Sequence, residues 1–154
     1  LFDALETGVV KRYITDFGTE DLLNKPNVTV FPHVGGSTGE AELNCAIMAG
    51  QTIRRFMETG EIVNSVNFPR VQQALSAPYR ITLINKNVPN IVARISTAVS
   101  DFNINIDNII NRSKGDYAYT LLDLDETDKS KIDELVAKFE ASDNIVRVRL
   151  IKGK

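Results

Sequence analysis

Residues 79–154 alternate between two hydrophobic periods, and this pattern constrains the fold more than any other feature of the sequence. Segments in which every second residue is apolar predict strands, and apolar residues three and four apart predict helices. The predicted elements are a strand at 79–85, a helix opened by Pro89, strands at 103–111 and 116–125, a helix at 131–140 and a strand at 144–152. A turn signal at 113–116, built around Gly115, joins the two middle strands.

The order strand–helix–strand–strand–helix–strand is the ferredoxin-like arrangement of an α+β domain. A four-stranded sheet of this kind is open, so its edge strands have unpaired backbone groups. Joining two sheets edge to edge would satisfy those groups. We therefore predict that the chain forms a homo-dimer, or a larger homo-oligomer, through residues 79–154.

The first half of the chain has a different pattern. Short β-branched segments at 9–17 and 27–36 read as strands, the last of a parallel sheet. A helix follows, with a predicted capping box at Ser37–Glu40 and an end at Gly60. The predicted division is a first domain at 1–69, a linker at 70–78 and a second domain at 79–154. Because Leu1 already lies in a helical pattern, the chain is expected to be part of a longer protein.

Composition narrows the function classes. The formal net charge is −2, and 43% of residues are hydrophobic and 25% charged, which is typical of a globular domain. Neither nucleic-acid binding nor membrane binding is indicated. The single cysteine, Cys45, lies in a helical apolar pattern and is predicted to be a buried thiol. A cytoplasmic location is expected.

Three ordered strings carry a resemblance. They are DFGTE at 16–20, FPHVGGST at 31–38, and a long helical segment ending in VNFP at 66–69. Together they resemble the C-terminal part of the D-2-hydroxyacid dehydrogenase family, and within it the D-3-phosphoglycerate dehydrogenases. Residues 79–154, with INKNVPNI at 84–91, resemble an ACT regulatory domain. The resemblance implies an α/β chain: the C-terminal remnant of a Rossmann-type dehydrogenase, followed by a ferredoxin-like ACT domain.

The resemblance also implies a reaction. Such enzymes use NAD to oxidise a 2-hydroxy acid, here 3-phosphoglycerate to 3-phosphohydroxypyruvate, the first step of L-serine biosynthesis. By motif match, His33 is the acid/base and Glu20 its carboxylate partner. A histidine suits this role because its ordinary pKa lies near physiological pH, and an adjacent carboxylate stabilises the imidazolium. The positions matching the cofactor site are Asp16, His33, Val34, Gly35 and Gly36.

Taken alone, a histidine that follows proline in a loop is more often structural than catalytic. The family's GxGxxG cofactor loop is absent from these residues, and so is its upstream catalytic arginine. We therefore expect this chain by itself to be inactive and to bind no NAD.

The ACT resemblance implies an effector site. Asn85, Asn87 and Asn105 are the candidate effector-binding residues, because amides offer both donors and acceptors to a small amino acid such as L-serine. In the family, serine binds between two paired ACT domains. Asn90 stands where a glycine is common, and asparagine tolerates the positive φ needed there. No metal site is predicted.

Two alternatives stay open. The chain could be a stand-alone amino-acid-binding module that regulates or dimerises another protein. It could also be part of an ACT-tailed dehydrogenase of another 2-hydroxy acid, since the substrate-binding residues of the family lie outside these motifs.

Overall fold

The computed structural model describes residues 1–153, which divide into two compact units. The first unit is Leu1–Ala49, and the second begins at Gly50. Each unit has its own sheet.

The first unit contains few regular elements. Helix α1 spans Phe2–Glu6, strand β1 Tyr13–Thr15 and strand β2 Val28–Val30. A single 3₁₀ turn lies between the strands at Glu20–Leu22. β1 and β2 pair in parallel, with Tyr13 opposite Val28, so the predicted parallel pairing is confirmed. The strands are three residues each, shorter than the β-branched segments that predicted them.

Helix α2, Gly39–Thr59, begins in the first unit. Its N-terminal cap is Thr38, whose Oγ1 accepts a 3.1 Å hydrogen bond from the backbone N–H of Ala41. The predicted capping box is therefore wrong, because the cap is Thr38 and not Ser37, and Ala41, three residues on, has no side chain that could return the hydrogen bond. Cys45 is exposed on this helix, so its predicted burial is wrong.

The end of α2 was predicted correctly. Gly60 has φ +73°, a left-handed conformation that ends the helix and that glycine adopts without steric cost. Its backbone N–H donates to the carbonyl of Phe56 at 2.9 Å.

The second unit contains the ferredoxin-like domain. Its four strands form one antiparallel sheet in the order β4-β5-β3-β6, which confirms the predicted arrangement. The elements are β3 Tyr79–Lys86, α3 Ile91–Ser100, β4 Asn105–Lys114, β5 Tyr117–Asp125, α4 Lys129–Glu140 and β6 Ile145–Lys152. The outer edges of β4 and β6 pair with no other strand among residues 1–153.

The main core lies between the sheet and the two helices. Apolar residues three and four apart on α3 and α4 meet the alternate apolar residues of the strands, as their periods predict. The most deeply buried members are Ile81, Leu83, Ile95, Val99, Leu122, Leu124, Ile132, Leu135 and Phe139. This packing sets the positions of every strand end and therefore of every candidate effector residue.

The opposite face of the sheet is covered by the segment before β3. Ile62 and Val71 pair through two backbone hydrogen bonds and join Tyr119 and Leu121 in a second buried cluster. Val71 is only 1% exposed. Residues 70–78, which were predicted as a linker, thus pack on the sheet within the second unit. The functional division at 69 and 79 stays a prediction.

Arg80 fixes this covering segment to the sheet. Its side chain is fully buried and forms a bidentate ion pair with Asp123, with N–O distances of 2.5 and 2.7 Å. The remaining donors reach the carbonyls of Thr59, Gln73 and Ala74 at 2.8–3.0 Å. All five guanidinium N–H donors are therefore used, and one side chain holds both the end of α2 and residues 73–74.

No helix in residues 1–153 is long and apolar enough to cross a membrane.

Candidate functional site

The predicted catalytic residues lie in the first unit, at the carboxyl ends of its two parallel strands. In parallel α/β sheets this is the edge where ligands bind. Asp16 and Phe17 follow β1, and His33 follows β2 after Phe31 and Pro32. These residues line a shallow cavity of about 320 Å³. The structure therefore brings the predicted base and one predicted cofactor residue to the same place.

Local contacts orient His33. Its backbone has φ 48°, an uncommon left-handed conformation for a residue with a side chain. Its N–H donates to the carbonyl of Phe31 at 3.0 Å, which tightens the turn. The ring of Phe17 meets the imidazole edge to face, with centroids 5.2 Å apart. The imidazole is exposed, so it is open to a ligand on its free side.

Glu20 does not contact His33. It begins the exposed 3₁₀ turn Glu20–Leu22, and no hydrogen bond or ion pair joins it to the imidazole within residues 1–153. Beside it, a hydrogen bond from the Thr19 side chain holds the pKa of Asp21 below its usual value. The predicted acid/base pair is thus placed on neighbouring loops but not joined.

The glycine pair lies next to Asp16. A Cβ atom added at Gly35 would stand 2.6 Å from Asp16 Oδ2, so a larger residue there would require the exposed Asp16 side chain to move. A backbone hydrogen bond of 3.1 Å from Ser37 to Val34 closes the turn, in which Gly35 and Gly36 are exposed. Val34 is 51% exposed.

Among the candidate effector residues, Asn85 is fully buried. Its Oδ1 accepts a hydrogen bond from the Thr120 hydroxyl at 2.9 Å, and its Nδ2 donates to the carbonyl of Lys86 at 3.1 Å. Asn111 completes the row by donating to the same hydroxyl at 2.7 Å. Direct contact between Asn85 and an effector would require this network to open.

Asn111 and Thr120 were missed as part of this network. Asparagine is a common residue of exposed strand faces, but Asn111 is half-buried and hydrogen-bonded. The missed signal was a polar row across three strands, since Asn111 lies opposite Thr120 in the antiparallel register. Such a pairing can be found once the hairpin at Gly115 sets the register.

Asn87 lies just after β3 and is exposed. Its backbone N–H donates to Asp116 and its side-chain Nδ2 to the carbonyl of Gly115, at 2.8 and 3.0 Å. These bonds hold it against the β4–β5 hairpin and leave its Oδ1 free to accept from a ligand. Asn90, at the start of α3, has φ 64°, which confirms the conformation expected from its place in the loop.

Asn105 lies at the opposite end of the sheet from Asn87. It is the first residue of the edge strand β4 and stands opposite Asp125, whereas Asn87 lies near the far end, beside Gly115. β4 has ten residues, and a strand rises roughly 3.3 Å per residue, so the two asparagines are separated by about 30 Å. One copy of the chain cannot bring both to one small ligand.

The described residues contain no cluster of three or more histidine, cysteine, aspartate or glutamate side chains that could hold a metal ion.

Comparison with known proteins agrees with the resemblance. Over 86% of its length the chain is similar to D-3-phosphoglycerate dehydrogenases, being 31% identical to D-3-phosphoglycerate dehydrogenase 2 of Saccharomyces cerevisiae. It is 26% identical to the Escherichia coli K12 D-3-phosphoglycerate dehydrogenase, again over 86% of the chain. The chain spans only 29% and 32% of the length of these two relatives. The match falls at their C-terminal ends.

Solved structures similar to the chain include two that each match about half of it. The ACT domain of a GTP pyrophosphokinase from Chlorobium tepidum covers 47% of the chain, at 18% identity and a TM-score of 0.43, with 95% of that domain matched. A homoserine dehydrogenase from Thiobacillus denitrificans covers 59% of the chain, at 20% identity and a TM-score of 0.44, with 20% of that enzyme matched. No protein-family model matches the chain.

Proposed function

We propose that this chain is the C-terminal part of an NAD-dependent 3-phosphoglycerate dehydrogenase, and that its second unit binds L-serine between two paired copies. One observation carries the proposal. The two exposed candidate asparagines lie at opposite ends of the sheet: Asn87 follows the central strand β3, and Asn105 begins the edge strand β4, whose outer side pairs with no strand among residues 1–153.

Within one copy Asn87 and Asn105 are too far apart to bind one small ligand. Antiparallel pairing of two β4 strands about a two-fold axis would remove this obstacle. Such pairing places the start of one β4 strand beside the end of the other, so that Asn105 of one copy lies at the same end of the paired sheets as the β4–β5 hairpin and Asn87 of the second. It would also satisfy the unpaired N–H and C=O groups of the β4 edge. Two equivalent sites would form, each built from both copies.

The chemistry of these side chains suits a small zwitterion. The free Oδ1 of Asn87 can accept a hydrogen bond from an ammonium group, and the amide of Asn105 can donate to a carboxylate. In this arrangement Asn85 acts indirectly, because its buried bonds to Thr120 and Lys86 hold the end of β3 beside Asn87.

Calorimetry with L-serine, together with analytical ultracentrifugation, tests the proposal. We expect a dimer with a saturable heat and two equivalent sites. Asn105→Ala should weaken binding by about tenfold or more, as the loss of hydrogen bonds to a charged group implies. Asn67→Ala, an exposed asparagine in the segment before β3, is the matched control. A dimer that gives no heat would contradict the effector site, and a monomer would contradict the pairing.

For the parent enzyme we propose that His33 removes the hydroxyl proton of 3-phosphoglycerate while hydride passes from C2 to the nicotinamide, with Glu20 stabilising the imidazolium. The support is the shared cavity of Asp16 and His33 at the carboxyl ends of β1 and β2. This chain contains no GxGxxG loop, so we expect no turnover when it is mixed with NAD and 3-phosphoglycerate. Measurable NADH formation from the purified chain would contradict this.

The two alternatives are separated by different measurements. A stand-alone regulatory module would bind its amino acid with the same affinity whether or not a dehydrogenase domain is attached. A dehydrogenase of another 2-hydroxy acid would retain the His33 cavity but would be unaffected by serine at the paired sites.

A further inference from the structure

Two arginines without carboxylate partners line one concavity on the covered face of the second unit. The concavity has a volume of about 330 Å³ and is lined by Arg70, Gln72, Ile110 and Arg112. That volume is at the lower end of the roughly 300–1,000 Å³ typical of small-molecule sites. None of these residues has a role in the proposed effector or catalytic sites.

The arginines come from different parts of the chain. Arg112 belongs to β4, two residues after Ile110, so both side chains project from the same face of the sheet. Arg70 belongs to the segment that covers this face and is placed there by the adjacent pairing of Val71 with Ile62. Farther along the same strand, Lys114 fastens the segment by donating from Nζ to the carbonyl of Val66 at 2.6 Å.

The positive charges of Arg70 and Arg112 have no acidic partner among residues 1–153. Arg70 Nε donates to Gln72 Oε1 at 2.6 Å, which orients the guanidinium and leaves its two terminal nitrogens without a protein acceptor among residues 1–153. Arg112 makes no side-chain hydrogen bond and no ion pair within the same residues. In the same unit Arg55, Arg80, Lys131 and Lys138 each have a carboxylate within 4 Å, whereas Arg94, Arg147 and Arg149 have none among residues 1–153. The distinguishing feature of Arg70 and Arg112 is therefore that they line the same concavity.

We infer that this concavity, lined by Arg70, Gln72, Ile110 and Arg112, is a binding site for a phosphate-bearing small molecule. Two planar guanidinium groups present paired N–H donors, which match the oxygens of a phosphate dianion in bidentate fashion. The amide of Gln72 holds one fork in place, and Ile110 supplies an apolar wall for the body of a phosphomonoester.

This site does not depend on the proposed serine site. Side chains of a strand stand perpendicular to the sheet, so pairing of two β4 edges would leave the face that carries Arg112 open. Phosphate binding and serine binding can therefore succeed or fail separately.

Inorganic phosphate is the first probe, titrated into the isotope-labelled full chain at pH 8 with sodium chloride holding the ionic strength constant. We expect saturable shifts of the amide signals of Ile110 and Arg112. Arg112→Gln and Arg70→Gln should each weaken the affinity by about tenfold or more, the effect of removing one charge-assisted contact. Arg94→Gln is the charge-matched control, since Arg94 is exposed on α3.

The variant Arg112→Lys distinguishes specific phosphate binding from non-specific attraction of phosphate to positive charge. It keeps the positive charge but loses the bidentate fork, so we expect weakened binding with an unchanged thermal melting curve. Non-saturable shifts that chloride reproduces would overturn the inference. So would an Arg94→Gln variant that loses as much affinity as Arg112→Gln.

Discussion

Replacing Arg80 with methionine tests how the end of α2 and residues 73–74 are held on the sheet. The substitution keeps an unbranched apolar stem but removes all five donors, leaving the Asp123 carboxylate buried without its partner. Removing one member of a buried ion pair costs about 3–5 kcal/mol. A domain of this size has a total stability of roughly 5–15 kcal/mol, so the loss would be a large fraction of it.

A double variant separates the buried charge from the carbonyl contacts. In Arg80→Met/Asp123→Leu no charge remains buried, so most of the Coulombic penalty should disappear. The carbonyls of Thr59, Gln73 and Ala74 still lose their donor, at about 1 kcal/mol each. We expect the double variant to be more stable than Arg80→Met and less stable than the wild type.

Urea unfolding followed by circular dichroism measures these free energies. Arg54→Met is the matched control, because Arg54 and Glu58 form an exposed pair on α2 with side chains 77% and 55% exposed. Exposed helical pairs contribute about 0.5 kcal/mol or less. If Arg80→Met costs no more than Arg54→Met, the reasoning that this arginine anchors the covering segment is refuted.

The remaining predictions concern the same face and the asparagine row. Tyr119→Phe removes the 2.7 Å bond from the phenol to Gly60 and should cost about 1 kcal/mol in urea unfolding. Burial raises the pKa of Tyr119, so its contribution is present below about pH 10 and is lost as pH rises through the raised value. Urea titrations from pH 8 to 11 should show a steeper loss for the wild type than for Tyr119→Phe, and parallel curves would contradict this. Gly60→Ala should cost more than about 1 kcal/mol, since φ is +73° and the new Cβ would lie 2.5 Å from Thr82 Cγ2; an unchanged unfolding midpoint would contradict it. Asn85→Ala should cost about 1–3 kcal/mol by leaving the Thr120 hydroxyl and Lys86 carbonyl short of partners, whereas Asn67→Ala should cost almost nothing; equal costs would contradict the buried network.

Local pattern predicts the ferredoxin-like fold because each element carries its own period. The strands alternate, the helices repeat every three or four residues, and Gly115 marks the hairpin. Backbone conformation at single positions was also predictable, as the left-handed Asn90 and Gly60 show. These features depend on residues within a few positions of one another.

The covering segment was not predictable in the same way. Residues 60–78 have little periodicity, and their attachment depends on Arg80, whose partners lie 6 to 43 residues away. A clue does exist in the sequence, since Arg80 and Asp123 each lie within a strand between two hydrophobic neighbours, away from the charged residues at the strand ends. The antiparallel register places them opposite each other, which makes a buried pair the physically sensible arrangement.

The candidate catalytic site was predicted in part. Motif order places Asp16 and His33 at two strand ends, and the parallel pairing of β1 with β2 brings these ends together. The direction of the loop that carries Glu20 is set by contacts that no short motif encodes. The burial of Asn85 was not predictable for a related reason. The sequence does not distinguish an asparagine beside a loop from an asparagine inside a core.

Mixing two variants with weakened serine binding tests most directly whether serine binds at sites shared between two copies. Asn87→Ala and Asn105→Ala each weaken both sites of their own dimer by about tenfold or more. A heterodimer of the two has one site that lacks both asparagines and one that is intact. We predict that calorimetry with L-serine finds wild-type affinity at about one quarter of the sites, since half of the dimers in an equal, fully exchanged mixture are heterodimers and each has one intact site of two. No recovery in a mixture shown to have exchanged subunits would contradict the account.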